Sequence, residues 1–199
     1  MANDLRETRI GGRELFKGDF LHAFRDDVRL PDGQVTQREY VVHPGAVMVV
    51  PLLQAANGEL RLVMERQYRY PVRQTIIEFP AGKLDVGESP LACAQRELRE
   101  ETGYTAREWA RVGVLHPVVS YSTEFIEIWF ARGLSAGDRR LDDGEFIELC
   151  LLTEGELERR AAAGELSDMK TLMGLMWLQK WRAGLWPLQW VGADRASTG

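Results

Sequence analysis

Glu97, Glu100 and Glu101 stand three and four residues apart, a spacing that stacks side chains on one face of a helix. Carboxylates crowded in this way repel one another and destabilise the fold unless a cation neutralises them. Hard oxygen ligands of this kind suit Mg²⁺, with Mn²⁺ as the other choice. Taken alone, three glutamates describe a solvated acidic face more readily than a metal site. Their surroundings point the other way. They sit in the run GKLDVGESPLACAQRELREETGY (82–104), behind a glycine-rich turn and the pair Ser89-Pro90. Arg96 lies four residues before Glu100, at ion-pair spacing on a helix.

The elements that must position these groups can be read around them. Ser89 as N-cap, Pro90 as first helical residue and Gly103 as terminator predict a helix over 90–102. Leu91, Ala94, Leu98 and Thr102 form its expected inward stripe, with the glutamates on another face. GAVMVVPLL (45–53) reads as a buried strand. Asn57-Gly58 turns the chain into a paired strand at 59–68, and 74–82 is a shorter strand broken by Pro80. Further strands are expected at 110–120, 124–134 and 145–152, and closing helices near 154–163 and 168–183. Upstream, residues 13–42 hold short strand-like pieces around the hairpin signal LPDG. Mixed strands around a central helix, with later helices, predict an α+β fold.

Composition narrows the class. A 45% hydrophobic and 28% charged share over 199 residues suits a globular protein with one full core. The net charge of −5 and the absence of a basic face argue against nucleic acid as partner. Cys93 and Cys150 make no CxxC pair, so neither zinc nor a disulfide framework is expected. The start, MANDLRETRIGG, has no apolar signal core and no run approaches a membrane span, which makes the cytoplasm the expected compartment.

Gly82, Glu88, Arg96-Glu97-Leu98, Glu100-Glu101 and Gly103-Tyr104 reproduce the Nudix box, and the chain resembles the Nudix hydrolases, which cleave a nucleoside diphosphate linked to another group. The resemblance implies an α/β/α sandwich with a mixed sheet, here with an extra N-terminal antiparallel sheet. It implies Glu97 and Glu101 as principal metal ligands, Glu100 sharing a further ion, and the Ala81 carbonyl as another ligand. Arg96 would orient a catalytic glutamate. Glu88 would buttress the turn, although a helix-start carboxylate favoured by the dipole reads equally well. For the general base the resemblance points to an acidic loop residue, and LDDGEFIEL (141–149) offers Glu145 first and Asp143 next; an ordinary solvated turn is the competing reading.

ERQYRYPV followed by IIEFPAGKLD resembles the ADP-ribose pyrophosphatase and nucleoside diphosphate sugar hydrolase branch. There Arg69 matches a substrate-contacting arginine and Glu78 a glutamate near the substrate. The branch's serine-proline-glycine loop is replaced here by HPVVSYSTEF (116–125), in which Tyr121, Ser122 and Glu124 are candidates for the ribose side. Tyr40 or Tyr68 could offer a flat face for adenine, possible also from a second subunit, with core or interface packing as the alternative. Arg66, Arg69 and Arg73 form a short basic cluster suited to phosphate. The three histidines lack ligand spacing, and the tryptophans after residue 176 read as packing. The implied activity is hydrolysis of ADP-ribose to AMP and ribose 5-phosphate by a homodimer. Another nucleoside diphosphate derivative, or a non-cleaving nucleotide sensor, is the alternative. The expected layout is an arm over 1–42, a catalytic domain over 43–191 and a flexible tail over 192–199.

Overall fold

The computed structural model describes residues 4–194. They divide into two compact units, one comprising residues up to Gly45 together with His116–Phe125, the other Ala46–Leu115 together with Ile126 onward.

In the first unit, β1 (Thr8–Lys17), β2 (His22–Arg29) and β3 (Val35–Val42) form an antiparallel sheet in that order. The LPDG signal makes the β2–β3 turn, where the Gly33 N–H donates to the Leu30 carbonyl at 2.9 Å with Gly33 at φ +89°. β1 starts at Thr8, earlier than the strand-like region expected from residue 13. Residues 116–125 belong here too. Val41 N–H donates to the Tyr121 carbonyl at 2.9 Å, and Thr123 N–H to the Val41 carbonyl at 3.0 Å. The strand expected over 110–120 therefore ends at Leu115; Pro117 has no N–H for a ladder, and the chain turns away.

The second unit is built on an eight-stranded mixed sheet. Its strands are β4 (Ala46–Gln54), β5 (Leu60–Arg69), β6 (Gln74–Glu78), β7 (Ala81–Lys83), β8 (Tyr104–Leu115), β9 (Ile126–Ala136), β10 (Ile147–Leu152) and β11 (Val191–Gly192). The helices are α1 (Pro90–Thr102), α2 (Glu154–Ala162) and α3 (Met169–Arg182). The strand order is β10-β5-β4-β9-β8-β11, with β6 paired to β5 and β7 to β4. β4 and β9 run parallel.

The period of two along β4 explains the layering. Met48, Val50 and Leu52 join a core with Leu157, Leu166, Leu175 and Leu178 from the α2–α3 side. Val47 and Val49 join the opposite core with Cys93, Ala94 and Leu98 of α1. Helices therefore cover both faces, as the expected α/β/α sandwich requires. Trp177, Trp181 and Trp190 pack on the first core. The first residues of the expected tail are tied to the second unit: Gly192 pairs with Glu108, and the Ala193 carbonyl accepts from Gln95 Nε2 at 3.2 Å. The remainder of the expected tail, from residue 195, lies outside the described residues. No helix among those described is long and apolar enough to cross a membrane.

Candidate active site

α1 is fixed in register at both ends. Ser89 Oγ accepts the Ala92 N–H at 3.3 Å, and Gly103, at φ +75°, closes the last turn by donating to the Arg99 carbonyl. Ala94, Leu98 and Thr102 are buried as the pattern predicts, joined by Cys93. Glu101 is buried as well, only 5% exposed, which corrects the expectation that the glutamates leave the core-facing stripe. Glu101 lies three residues after Leu98 and Glu97 three after Ala94, so both border the same inward face.

β7 receives them. The Ala81 N–H donates to Glu101 Oε2 at 3.0 Å. The Glu97 carboxyl fills the space over Gly82, where a Cβ would stand 1.8 Å from Glu97 Oε1. Burial raises the pKa of both carboxyls; at Glu101 the charges of Glu65 and then Glu97 add to it. Arg96 ties the outer side together. Its Nε and Nη2 each meet one Glu88 carboxylate oxygen at 2.9 Å, and its Nη1 reaches Glu97 at 2.8 Å and Glu100 at 3.1 Å. The same fork donates to the Lys83 carbonyl at 3.1 Å. This pairing holds the Glu88 carboxyl down at about 2. It gives Glu88 a structural reason independent of the helix dipole.

Glu65 was not legible as a site residue. On β5, Leu62 and Met64 face the α2–α3 core, so the next residue points to the opposite face, toward Glu101. Glu65 is 2% exposed, its Oε1 has no hydrogen-bond partner among the described residues, and it stands in register opposite the equally buried Glu78. Burial, then Glu78, pushes its carboxyl well above the ordinary range. The only sequence signal is a glutamate where an alternating strand calls for an apolar residue.

This donor set fits a hard divalent cation. Buried carboxylates face one another with a single N–H on Glu101, a buried oxygen of Glu65 is unpartnered, and Gly82 leaves room for a carboxyl to lie against backbone. Among the described residues no three acidic, histidine or cysteine side chains are already gathered as a metal cage. Arg96 and the Ala81 N–H hold the carboxylates instead.

Beside the acidic group stands a cationic one. Arg69 Nε donates to Glu78 Oε1 at 2.7 Å, and Lys170 Nζ pairs with Glu78 Oε2. Lys170 also meets Asp168 Oδ2 at 3.1 Å, and Asp168 caps α3 through the Thr171 N–H. Arg69 and Glu78 are thus brought together, while Lys170 and Asp168 were not anticipated; the helix expected to start at residue 168 was their one trace. Glu145 is close enough for its charge to raise the pKa of Glu65, Glu97 and Glu101. Asp143 is exposed in the turn before it. A cleft of about 460 Å³ is lined by Tyr68, Arg139, Glu145 and Phe146, among others, which joins Tyr68 to the Glu145 segment. In the rest of the basic cluster, Arg66 lines this same cleft, and both arginines have partners. Arg66 pairs with Glu148 at 2.7 Å and Arg73 lies over the Tyr70 ring. Tyr40 and Glu124 belong to the first unit. Tyr40 donates its hydroxyl to Asp26 at 3.0 Å and stacks on Phe24, and Glu124 lies 3.9 Å from His43.

The chain is similar to known proteins. The NUDIX domain family matches residues 42–172, and the nucleoside diphosphate sugar hydrolase N-terminal domain family matches residues 7–41. An ADP-ribose pyrophosphatase of Bacillus subtilis (strain 168) is 36% identical over 88% of this chain and 94% of its own. A methanol dehydrogenase activator of Bacillus methanolicus is 38% identical over 90% and 96%. A crystal structure described as an ADP compounds hydrolase superposes with a TM-score of 0.80 over 92% of this chain and 98% of its own, at 21% identity, a likeness of fold. With the box on α1 and the family match across most of the chain, this protein belongs to the Nudix hydrolases.

Proposed function

We propose that the protein hydrolyses ADP-ribose to AMP and ribose 5-phosphate with Mg²⁺, or Mn²⁺ in its place. Glu97, Glu101 and the Ala81 carbonyl would hold the ion, with Glu100 sharing a further one. The observation that carries this reading is the burial of Glu101 against Glu65 and Glu97, an acidic crowd that a cation stabilises and that little else explains. When bound, the ion screens the diphosphate charge and orients water. Arg96 holds Glu97 and Glu100 in place from outside. Glu145, in preference to Asp143, accepts the proton of the attacking water. Arg69, braced by Glu78, offers its free guanidinium edge to a phosphate oxygen. Tyr68 gives the nucleoside an aromatic surface in its cleft.

The choice of ADP-ribose is supported by the names of relatives, among them ADP-ribose pyrophosphatases of Bacillus subtilis and Mycobacterium tuberculosis. The Bacillus methanolicus relative is named for activating a dehydrogenase and for no substrate; another nucleoside diphosphate derivative, a sugar or a dinucleotide, is the second substrate class. A homodimer is part of the proposal, with Tyr40 and Glu124 serving the site of a second copy. Ile10, 47% exposed, and Phe16, 56% exposed, leave apolar surface on β1 for that partner. Two unpaired cysteines suit a cytoplasmic location.

The test is a Mg²⁺-dependent product assay presenting ADP-ribose beside GDP-mannose, NADH, diadenosine polyphosphates and 8-oxo-dGTP. Preferential release of AMP from ADP-ribose supports the reading. Preference for another compound keeps the α1 chemistry and discards the pocket assignments. Silence with both metals points to nucleotide binding without cleavage.

A further inference from the structure

Glu78 is a buried carboxylate, 2% exposed, with two cations, one on each oxygen. Lys170 occupies Oε2 and is itself only 13% exposed in its side chain, while Arg69 meets Oε1 through Nε alone and is 43% exposed. A lone buried carboxylate attracts an arginine fork through two parallel N–H donors. Here the second oxygen is already taken, so Arg69 is held edge-on and its two terminal nitrogens have no protein partner among the described residues. Lys170 is in turn held by Asp168, which accepts the Thr171 N–H at 3.0 Å and the Thr171 hydroxyl at 2.6 Å. The Thr171 hydroxyl accepts the Phe79 N–H at 3.2 Å, the residue directly after Glu78. The start of α3 is thereby stitched to the strand end that carries the carboxylate.

We propose that Lys170, anchored by Asp168, is a positioning residue for substrate binding: by occupying the second oxygen of Glu78 it keeps the Arg69 guanidinium from folding onto that carboxylate and leaves its terminal nitrogens for the diphosphate. This rests on the reading of Arg69 as a substrate contact. The first turn of α3 thus becomes a determinant of affinity although it need not touch the substrate. Neutralising Lys170 leaves Glu78 to recruit Arg69 in both positions, and the substrate loses a charge-assisted hydrogen bond worth roughly ten- to a hundredfold in affinity.

The experiment measures KM and kcat for ADP-ribose, and Kd for its non-hydrolysable α,β-methylene analogue, at saturating Mg²⁺. The full-length variants are Arg69→Ala, Lys170→Met, Lys170→Arg and the double variant Glu78→Gln/Lys170→Met, each checked by thermal unfolding. The expected result is a KM and Kd raised about tenfold or more in Arg69→Ala and Lys170→Met with kcat little changed. Lys170→Arg should stay near the parent. The double variant should regain affinity over Lys170→Met, because no uncompensated carboxylate remains to capture Arg69. It also keeps the test decisive if Lys170→Met does not fold. Weakened binding in Arg69→Ala with normal binding in Lys170→Met overturns the positioning role and leaves the Arg69 reading intact. So does a double variant that, folded, binds no better than a folded Lys170→Met, or no better than Arg69→Ala if Lys170→Met does not fold. Unchanged binding in Arg69→Ala overturns both.

Discussion

At the scale of single residues, the site is a set of carboxylates whose charges have been placed at unequal disadvantage. Glu88 is stabilised as an anion by the Arg96 fork; Glu65 and Glu101 are destabilised as anions by burial, Glu65 further by the charge of Glu78 and Glu101 further by that of Glu65. Replacing Glu101 by Gln should abolish metal-dependent turnover while the metal-free protein unfolds at an equal or higher temperature. Near-normal activity would remove Glu101 from the ligand set. Glu65 makes a prediction about pH. Its carboxyl rises from about 4.5 to about 8 on folding, so between those values the native state holds a proton that the unfolded chain has released. Stability from this group is therefore present at low pH and is lost as pH rises through that window. In chelator, Glu65→Gln should gain about 1–3 kcal/mol over the parent above pH 8 and little near pH 5. Thermal scans across that range, showing a constant offset instead, would contradict the assigned burial. The place of Glu65 was not visible in one dimension. Glu101 announced itself by spacing, but the partners that make it costly come from β5, and a strand register cannot be read from local sequence.

At the scale of elements, what was legible followed from periodicity and punctuation. Ser89-Pro90 and Gly103 delimited α1 to the residue, and Pro80 separated β6 from β7, because caps and prolines act through local backbone chemistry. Tyr104–Trp109 were missed as strand, since Gly103 ends the helix without leaving a loop behind it. α3 hides a different constraint. Gly174 faces Phe79 and Met48 so closely that an added Cβ would lie 2.9 Å from the Phe79 ring and 3.0 Å from Met48 Cε. Gly174→Ala should favour the helix intrinsically by about 1 kcal/mol yet destabilise the protein by about 1–3 kcal/mol through overpacking. Urea unfolding with a lower midpoint at unchanged slope is the expected signature; a raised midpoint would mean that the core yields. Because α3 carries Asp168 and Lys170 at its start, a shift there should also weaken substrate binding.

At the scale of the whole molecule, the chain joins a catalytic sandwich to a small sheet with three apolar residues, Ile10, Leu15 and Phe16, left in the open on its first strand. Removing residues 1–40 should weaken self-association and raise KM for ADP-ribose if that sheet serves a second copy. Sedimentation and kinetics unchanged by the truncation would refute both. Sequence located the arm by its turn signal but not its full membership, since nothing local says that a loop between β8 and β9 will pair with β3. That membership bears on how the protein is made. The three arm strands leave the ribosome before residues 116–125, where the backbone partners of Val41 reside. At about 5–20 residues per second, the arm's last strand waits roughly 4–16 seconds with that edge unsatisfied. During biosynthesis it is therefore translated well ahead of the segment that completes it, an interval in which nascent chains on neighbouring ribosomes can find each other's edges before their own.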